Sequence, residues 1–433
     1  MMMERTSGWK ARFFTIWTGQ QLSFIGSRAA QFALVWWLTT TTGSATVLAT
    51  ASMVALLPQI LLGPFIGALI DRWNRRIVMV TADTFIALLA LWLAYLFWSG
   101  AMEVWHIYVV MLARSLGETF HWPSMAASTT LMVPERHLAR VGGLNQAIYG
   151  VLAIVGPPLG ALLMALLPLH GVMMVDVGTA LFAILPLLFI FIPQPEKAHV
   201  DELKRSSVLS NMWEGLKYVL HWPGILALLA GVLVIKVALQ PAISLIPLLV
   251  YEHFGGTATD LGLIEAIAGA GMLGGGLFLG VWGGFKRKVY TVLMGLVGVG
   301  VATFLLGLTP AHIFWMALVV TFFLGTMISM TDGPLSAILQ ATVPAEMQGR
   351  VFGLLGSLFS LSTPVGLAIA GPVSDLLGVR FWFQLGGLLC VIVGVINFFI
   401  PAVLRLEDQK AASDEKFQKV PATESLGGKV LND

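Results

Sequence analysis

Residues Val133–Leu144 read VPERHLARVGGL, and residues 343–354 read VPAEMQGRVFGL. In each, Val-Pro is followed six residues after the proline by an arginine, and then by Val, Gly and Leu in one register. The offset is 210 residues, and upstream Pro123 and Pro334 recur 211 apart. Both stretches sit between long apolar runs. A transmembrane helix needs about 20 mainly apolar residues, and twelve runs meet that need: 13–38, 46–70, 77–98, 105–128, 141–167, 172–192, 224–249, 258–282, 289–308, 311–333, 351–373 and 380–403. The chain therefore reads as an all-α membrane protein of twelve transmembrane helices in two parallel six-helix repeats. The first repeat occupies 1–192 and the second 224–404. Between them lies a polar linker, 193–223, in which Ser206 to His221 is expected to form a surface helix. Residues 405–433 are charged and polar and are expected to be a disordered tail.

Composition agrees with that solvent. Of the 433 residues, 57% are hydrophobic and only 11% charged, against about 25% charged in soluble domains. The 46 glycines suit helices that must approach closely where apolar burial does not drive association. The placement of charge orients the chain. Twenty-one of the 25 Lys and Arg fall at the N-terminus, after the even-numbered runs or in the tail. Only Arg380 follows an odd-numbered run, and Arg28, Arg114 and Lys236 lie inside runs. Basic loops stay cytoplasmic, so both termini are expected there. No cleavable signal peptide is read at the N-terminus. The single cysteine, Cys390, excludes an intrachain disulfide.

The turn after the second run is GALIDRWNRR, Gly67–Arg76. Its pattern of Gly67, Asp71, Arg72, Arg75 and Arg76 resembles the signature loop of the major facilitator superfamily, with Asn74 where that family often has Gly. The resemblance implies a cytoplasmic latch that locks the two halves when that side is closed. Asp71 would meet a helix N-terminus or a basic side chain of the other half, and Asp83 on the following helix would brace it. The equivalent turn, GGFKRK, keeps the basic residues without the acid. GPPLGA, from Gly156, resembles the antiporter motif of the family's drug exporters. There Gly150, Gly156 and Gly160 would allow close helix approach, and Pro157 would bend the backbone. The N-terminal third, including WTGQQLSFIGSRAAQFALVWWLTTTTGSA and LPQILLGPFIGALIDRWNRR, resembles the bacterial macrolide-efflux branch and its siderophore-exporter relatives.

Charge inside a run costs roughly 2.5–3.5 kcal/mol on insertion scales, so it usually faces a cavity or a partner. Gln21, Phe24, Arg28 and Gln31 form one stripe on the first run. Lys236 and Gln240 hold nearly equivalent places on the seventh. The resemblance implies that these helices line a central cavity. On the fourth run, Arg114, Glu118 and His121 share a face at spacings of 4 and 3. Glu118 is the candidate for a coupling proton, with Arg114 as the charge that tunes it and His121 as a relay. A static Arg114–Glu118 pair is the alternative. Glu265 and Asp83 are further candidates, while Asp176 and Asp332 read as solvated caps near helix ends.

The chain is expected to be a secondary exporter of a bulky amphipathic compound, working by proton antiport from the bacterial cytoplasmic (inner) membrane. A siderophore or lipid exporter or flippase of the same fold is an alternative, and a transporter-like receptor a third reading. Membrane enzymes are disfavoured: none of the eight His begins an H-E-x-x-H arrangement, and no G-x-x-x-x-G-K-[ST] occurs. The expected partners are a small-molecule substrate, protons and membrane lipid. No metal, cofactor or nucleic acid is expected, and the chain is read as a monomer.

Overall fold

A computed structural model of the chain describes residues 8–70, 73–194, 217, 220, 223–343 and 345–405. Apart from residues 217 and 220 the expected linker helix, and beyond Arg405 the expected C-terminal tail, lie outside the described residues, as do Asp71 and Arg72. Among the described residues lie twelve long helices: α1 (Trp9–Thr42), α2 (Ala45–Ile70), α3 (Arg75–Ser99), α4 (Val104–Met132), α5 (Glu135–Leu166), α6 (Leu169–Phe189), α7 (Pro223–Ser244), α8 (Ala258–Trp282), α9 (Lys288–Leu308), α10 (Phe314–Thr342), α11 (Ala345–Leu377) and α12 (Val379–Phe398). Among the described residues there is no β-strand.

Short turns with local caps divide the helices. Gly43 and Gly100 end α1 and α3 in the left-handed conformation that glycine adopts without a side-chain clash. Asn74 starts α3: its side-chain oxygen accepts the backbone N–H of Arg76 at 3.1 Å and of Ile77 at 3.4 Å. α4 and α10 run several residues past their expected ends, through Pro123 and Pro334. Proline is tolerated in membrane helices because neighbouring helices and hydroxyl side chains satisfy the freed backbone groups. α7, by contrast, stops at Ser244, three residues after Pro241, and the chain continues as a short helical turn and a π-turn, Leu249–His253.

Ten of the twelve helices are long and apolar enough to cross a membrane. The two that fall short are α1 and α4, which carry Arg28 and three glutamines, and Arg114, Glu118 and two histidines. That exception has a physical reason: polar side chains dilute the helices that face an internal cavity rather than lipid.

The same packing scheme appears twice. α1 packs on α5 and α6, α3 on α4 and α6, and α2 on α4. In the second six, α7 packs on α11 and α12, α9 on α10 and α12, and α8 on α10. The two groups meet along α2–α11 and α5–α8, a symmetric pair of contacts. Glycine makes these seams close. A β-carbon at Gly371 would lie 3.0 Å from the Thr46 α-carbon, and one at Gly262 would lie 3.0 Å from the Ala161 β-carbon and 3.1 Å from the Pro157 carbonyl oxygen.

Those contacts lie toward the end that carries the α1–α2 turn, called here the outer end. Toward the inner end, which carries the basic turns, Gly142 and Gly143 of α5 and Gly276 and Gly280 of α8 face open space. The close glycine contacts between the halves thus lie toward the outer end. Arg380, the basic residue on the outer side, is anchored: its Nε donates to the Gly307 carbonyl at 3.0 Å, where Gln384 also donates at 3.2 Å. A cation on the last turn of α9 complements the negative end of that helix.

Candidate functional site

Two joined cavities run along the first half. The larger, about 800 Å³, is walled by α1 to α5 in their inner portions, with Gln20, Gln21, Gln59, Asp83, Glu118 and His121 among its polar lining. The smaller, about 340 Å³, lies farther out between α1, α5 and α8, and includes Gln31, Gly156, Pro157 and Glu265. Phe24, Arg28 and Tyr149 line both and connect them. At the junction Phe24 and Tyr149 meet edge to face at 5.9 Å, Trp122 packs on Tyr149 at 5.3 Å, and the Arg28 guanidinium sits 4.7 Å above the Phe24 ring. Such a wall offers apolar faces and a few fixed polar groups, the usual make-up of a site for an organic ligand. A further concavity of about 860 Å³, lined by α3, α4 and the turn before α3, has no ionisable side chain in its lining.

The charges of α4 are distributed differently from the expectation drawn from spacing. Arg114 does not pair with Glu118. Its Nη1 donates to Asp176 Oδ2 of α6 at 2.7 Å, and Ser27 of α1 donates to the other oxygen of Asp176 at 2.8 Å. Arg114 is 4% exposed and Asp176 1%. Asp176 is therefore not a solvated cap: it lies two turns inside α6 and ties three helices together. Burial of two charges is tolerable here because each meets the other and the free carboxylate oxygen takes a hydroxyl donor.

A second cluster sits on the cavity wall. Asp83 of α3 accepts from Gln20 Nε2 at 2.8 Å, and its other oxygen lies 3.2 Å from His121 Nε2. The His121 contact is a close approach rather than an aligned hydrogen bond. Asp83, expected to brace the latch, instead joins the cavity cluster. Glu118 is exposed to the cavity, one turn from Arg114 and one from His121, and neither of these is its ion-pair partner.

The other expected residues fall as follows. Gln21 lines the larger cavity and Gln31 the smaller. Lys236 and Gln240 of α7 are half-buried and line neither. Of the antiporter-motif residues, Gly160 packs on α1, since a β-carbon there would lie 2.9 Å from the Phe32 ring. Gly156 stands next to Arg28, whereas Gly150 faces open space and allows no close approach. In the latch loop, Gly67 lies in α2. The Arg75 backbone N–H donates to Gln194 Oε1 at 3.2 Å, and the Arg76 guanidinium donates to the Leu187 and Leu188 carbonyls at the end of α6. These bonds fasten α3 to α6 within the first half.

Sequence reasoning missed Ser27, Gln20, Gln59, Gln146 and Tyr149 as cavity or network residues. For Asp176 there was a signal, since it is the single acidic residue in the sixth apolar run.

The chain matches the model of a family described as transmembrane secretion effector over residues 9–428. Macrolide efflux protein A of Streptococcus pyogenes is 32% identical, across 94% of this chain and all of the relative. Multidrug efflux pump Tap of Mycolicibacterium fortuitum is 26% identical, across 87% of this chain and 92% of the relative. Among solved structures, a bacterial homologue of the human lysosomal transporter Spinster, in an inward-facing and unoccupied conformation, superposes with a TM-score of 0.67. It is 14% identical, and the match covers 94% of this chain and 98% of that one.

Proposed function

We propose a cargo and a coupling ion for a chain that belongs to the transmembrane secretion effector family of the major facilitator superfamily. Membership makes it a multi-pass efflux transporter rather than an enzyme. The cargo is a bulky amphipathic compound of the macrolide kind, and the coupling ion is the proton, exchanged by antiport through alternating access.

One observation carries this reading: the joined cavities are walled by aromatic side chains, hold the carboxylate of Glu118, and run along the first half toward the outer seam. A cavity of about 800 Å³ lies within the usual size of small-molecule sites. Phe24, Trp122 and Tyr149 supply apolar contact, and Gln21, Gln59 and Gln146 orient polar groups. The name of the streptococcal relative supports the cargo class. In this reading all twelve helices span the bacterial inner membrane, both termini are cytoplasmic, the protein acts as a monomer, and the structure is the inward-open state. Asp71 then acts as a latch for the opposite state, in which the inner ends close.

Glu118 exchanges the proton, and His121 with Asp83 stands beside it as relay. Arg114 acts through its distance from Glu118 rather than by direct pairing. The cargo is tested in an efflux-deficient bacterium expressing the chain. Minimum inhibitory concentrations of macrolides should rise at least fourfold, and a proton uncoupler should restore drug accumulation. Unchanged susceptibility to macrolides would remove the cargo assignment, and efflux that persists with the uncoupler would remove the proton.

Topology is tested separately. Reporter fusions after Arg76, Arg140, Lys288 and Arg405 should read as cytoplasmic, and those after Thr42, Gly100, Gly256 and Pro310 as external. Two reversed positions would overturn the orientation drawn from the basic turns.

A further inference from the structure

We infer that Asp375 holds the outer gate: its carboxylate, on the second half, completes the helix cap of α2, on the first half, and this contact must break for the halves to part at that end. The first backbone N–H groups of a helix have no partner within it. At α2, the Ser44 hydroxyl oxygen accepts the N–H of Val47 at 3.3 Å. The two N–H groups before it go to the other half. Ala45 donates to Asp375 Oδ1 at 2.6 Å and Thr46 to Oδ2 at 3.1 Å, and the Ser44 hydroxyl donates to Oδ2 at 3.0 Å. A carboxylate at a helix N-terminus gains both from charge-assisted bonds and from the positive end of the helix.

The symmetric helix does not share this arrangement. α8 begins with its own capping box, in which Thr257 N–H and hydroxyl both donate to Asp260 Oδ2, at 2.8 and 2.9 Å. Of the two symmetric seams between the halves, α2–α11 and α5–α8, the first carries the charged cap across and the second leaves α8 capped by itself. Close packing delivers the carboxylate: Gly371 seats α11 against Thr46 and Ala49, and Asp375 follows one turn later.

A second acid of the same half stands beside it. Glu252, after α7, lies close to Gly43 in the α1–α2 turn, where a β-carbon would be 3.6 Å from its Oε1. Partial burial and the Asp375 charge both push the Glu252 carboxyl above its ordinary range. The closed seam thus favours the ionised Asp375, which caps α2, and disfavours the ionised Glu252 through its packing beside Gly43 of the other half, while the Asp375 charge on the same half acts in either state. Neutralising these two carboxylates should move the gate in opposite directions, which a general loss of structure would not do.

This inference rests on the alternating-access reading, but its test needs no cargo, so the two fail separately. Cysteines replace Ala101 and Ala311, both exposed in outer turns of opposite halves, and carry spin labels for distance measurement in purified protein. Cys390 is fully buried, which keeps labelling at the introduced sites. Hydrogen bonds to a charged group are worth enough that losing the cap should raise the ratio of outer-open to outer-closed molecules on the order of tenfold. Asp375→Asn should therefore enlarge the long-distance population, Glu252→Gln should reduce it, and Asp260→Asn should leave it as in the parent. An Asp375→Asn distribution identical to the parent's overturns the assignment, as does an equal shift in Asp260→Asn. Should Asp375→Asn fail to fold, Glu252→Gln decides, and an unchanged or larger open population there overturns it.

Discussion

Arg114→Met is expected to remove most of the folded protein from the membrane, and Arg114→Met with Asp176→Leu to restore it. The single change leaves the Asp176 carboxylate 1% exposed, inside α6, with the Ser27 hydroxyl donating to one oxygen and the Arg114 guanidinium gone from the other. Removing one partner of a buried ion pair costs about 3–5 kcal/mol, because the remaining charge stays buried and uncompensated. Against a total stability of roughly 5–15 kcal/mol, that is enough to lower yield several-fold. Replacing both partners by apolar residues of similar volume is often neutral. The comparison that decides the pairing is Arg114→Met with Glu118→Met, the partner that helical spacing suggests. Fluorescence-detected size-exclusion profiles of the three variants report folded yield. Rescue through Asp176 and none through Glu118 is the expected pattern. Rescue through Glu118 would mean that the pair lies along α4 after all.

That contrast shows what was legible in the sequence and why. The all-helical membrane architecture was readable because lipid requires each crossing to be a long apolar run. The doubling was readable because Val133–Leu144 and its twin keep their register through 210 residues. Cavity-facing helices were readable from polar stripes, since Gln21, Phe24 and Arg28 need somewhere other than lipid to point. Partners across helices were not. Glu118 is four residues from Arg114 and suggests itself, while Asp176 is 62 residues away and announces nothing. Lys236 was placed by its equivalence to Arg28, but the cavities are walled mainly by the first half, so equivalence of position did not bring equivalence of use. Asp71 drew attention because it sits in a known pattern. Asp375 sits in none, and its role as a cap depends on a helix start about 330 residues earlier in the chain.

Glu118→Gln should abolish uphill export driven by a pH gradient while leaving folded yield and downhill exchange near those of the parent. Folding should be spared because Glu118 is exposed to the cavity and its neighbours are otherwise engaged, Arg114 with Asp176 and His121 with Asp83. Exposed substitutions away from such networks usually change stability by no more than about 0.5 kcal/mol. Transport should not be spared. Coupling requires a group whose proton affinity differs between the two states of the cycle, and a ligand shifts such an equilibrium only through a differential interaction. Glu118 is the group proposed for this role because it is exposed to the cavity itself, whose access to water would change if the inner ends closed. The Asp83–His121 pair is the rival, for it faces the same cavity. Purified protein in weakly buffered detergent separates the two when a macrolide is added and proton release is followed with an indicator dye. Release lost in Glu118→Gln and kept in Asp83→Asn assigns the coupling proton to Glu118. The reverse assigns it to Asp83 and His121. Loss in both variants would place one proton between the two sites, with Glu118 and His121, one helical turn apart, as successive stations.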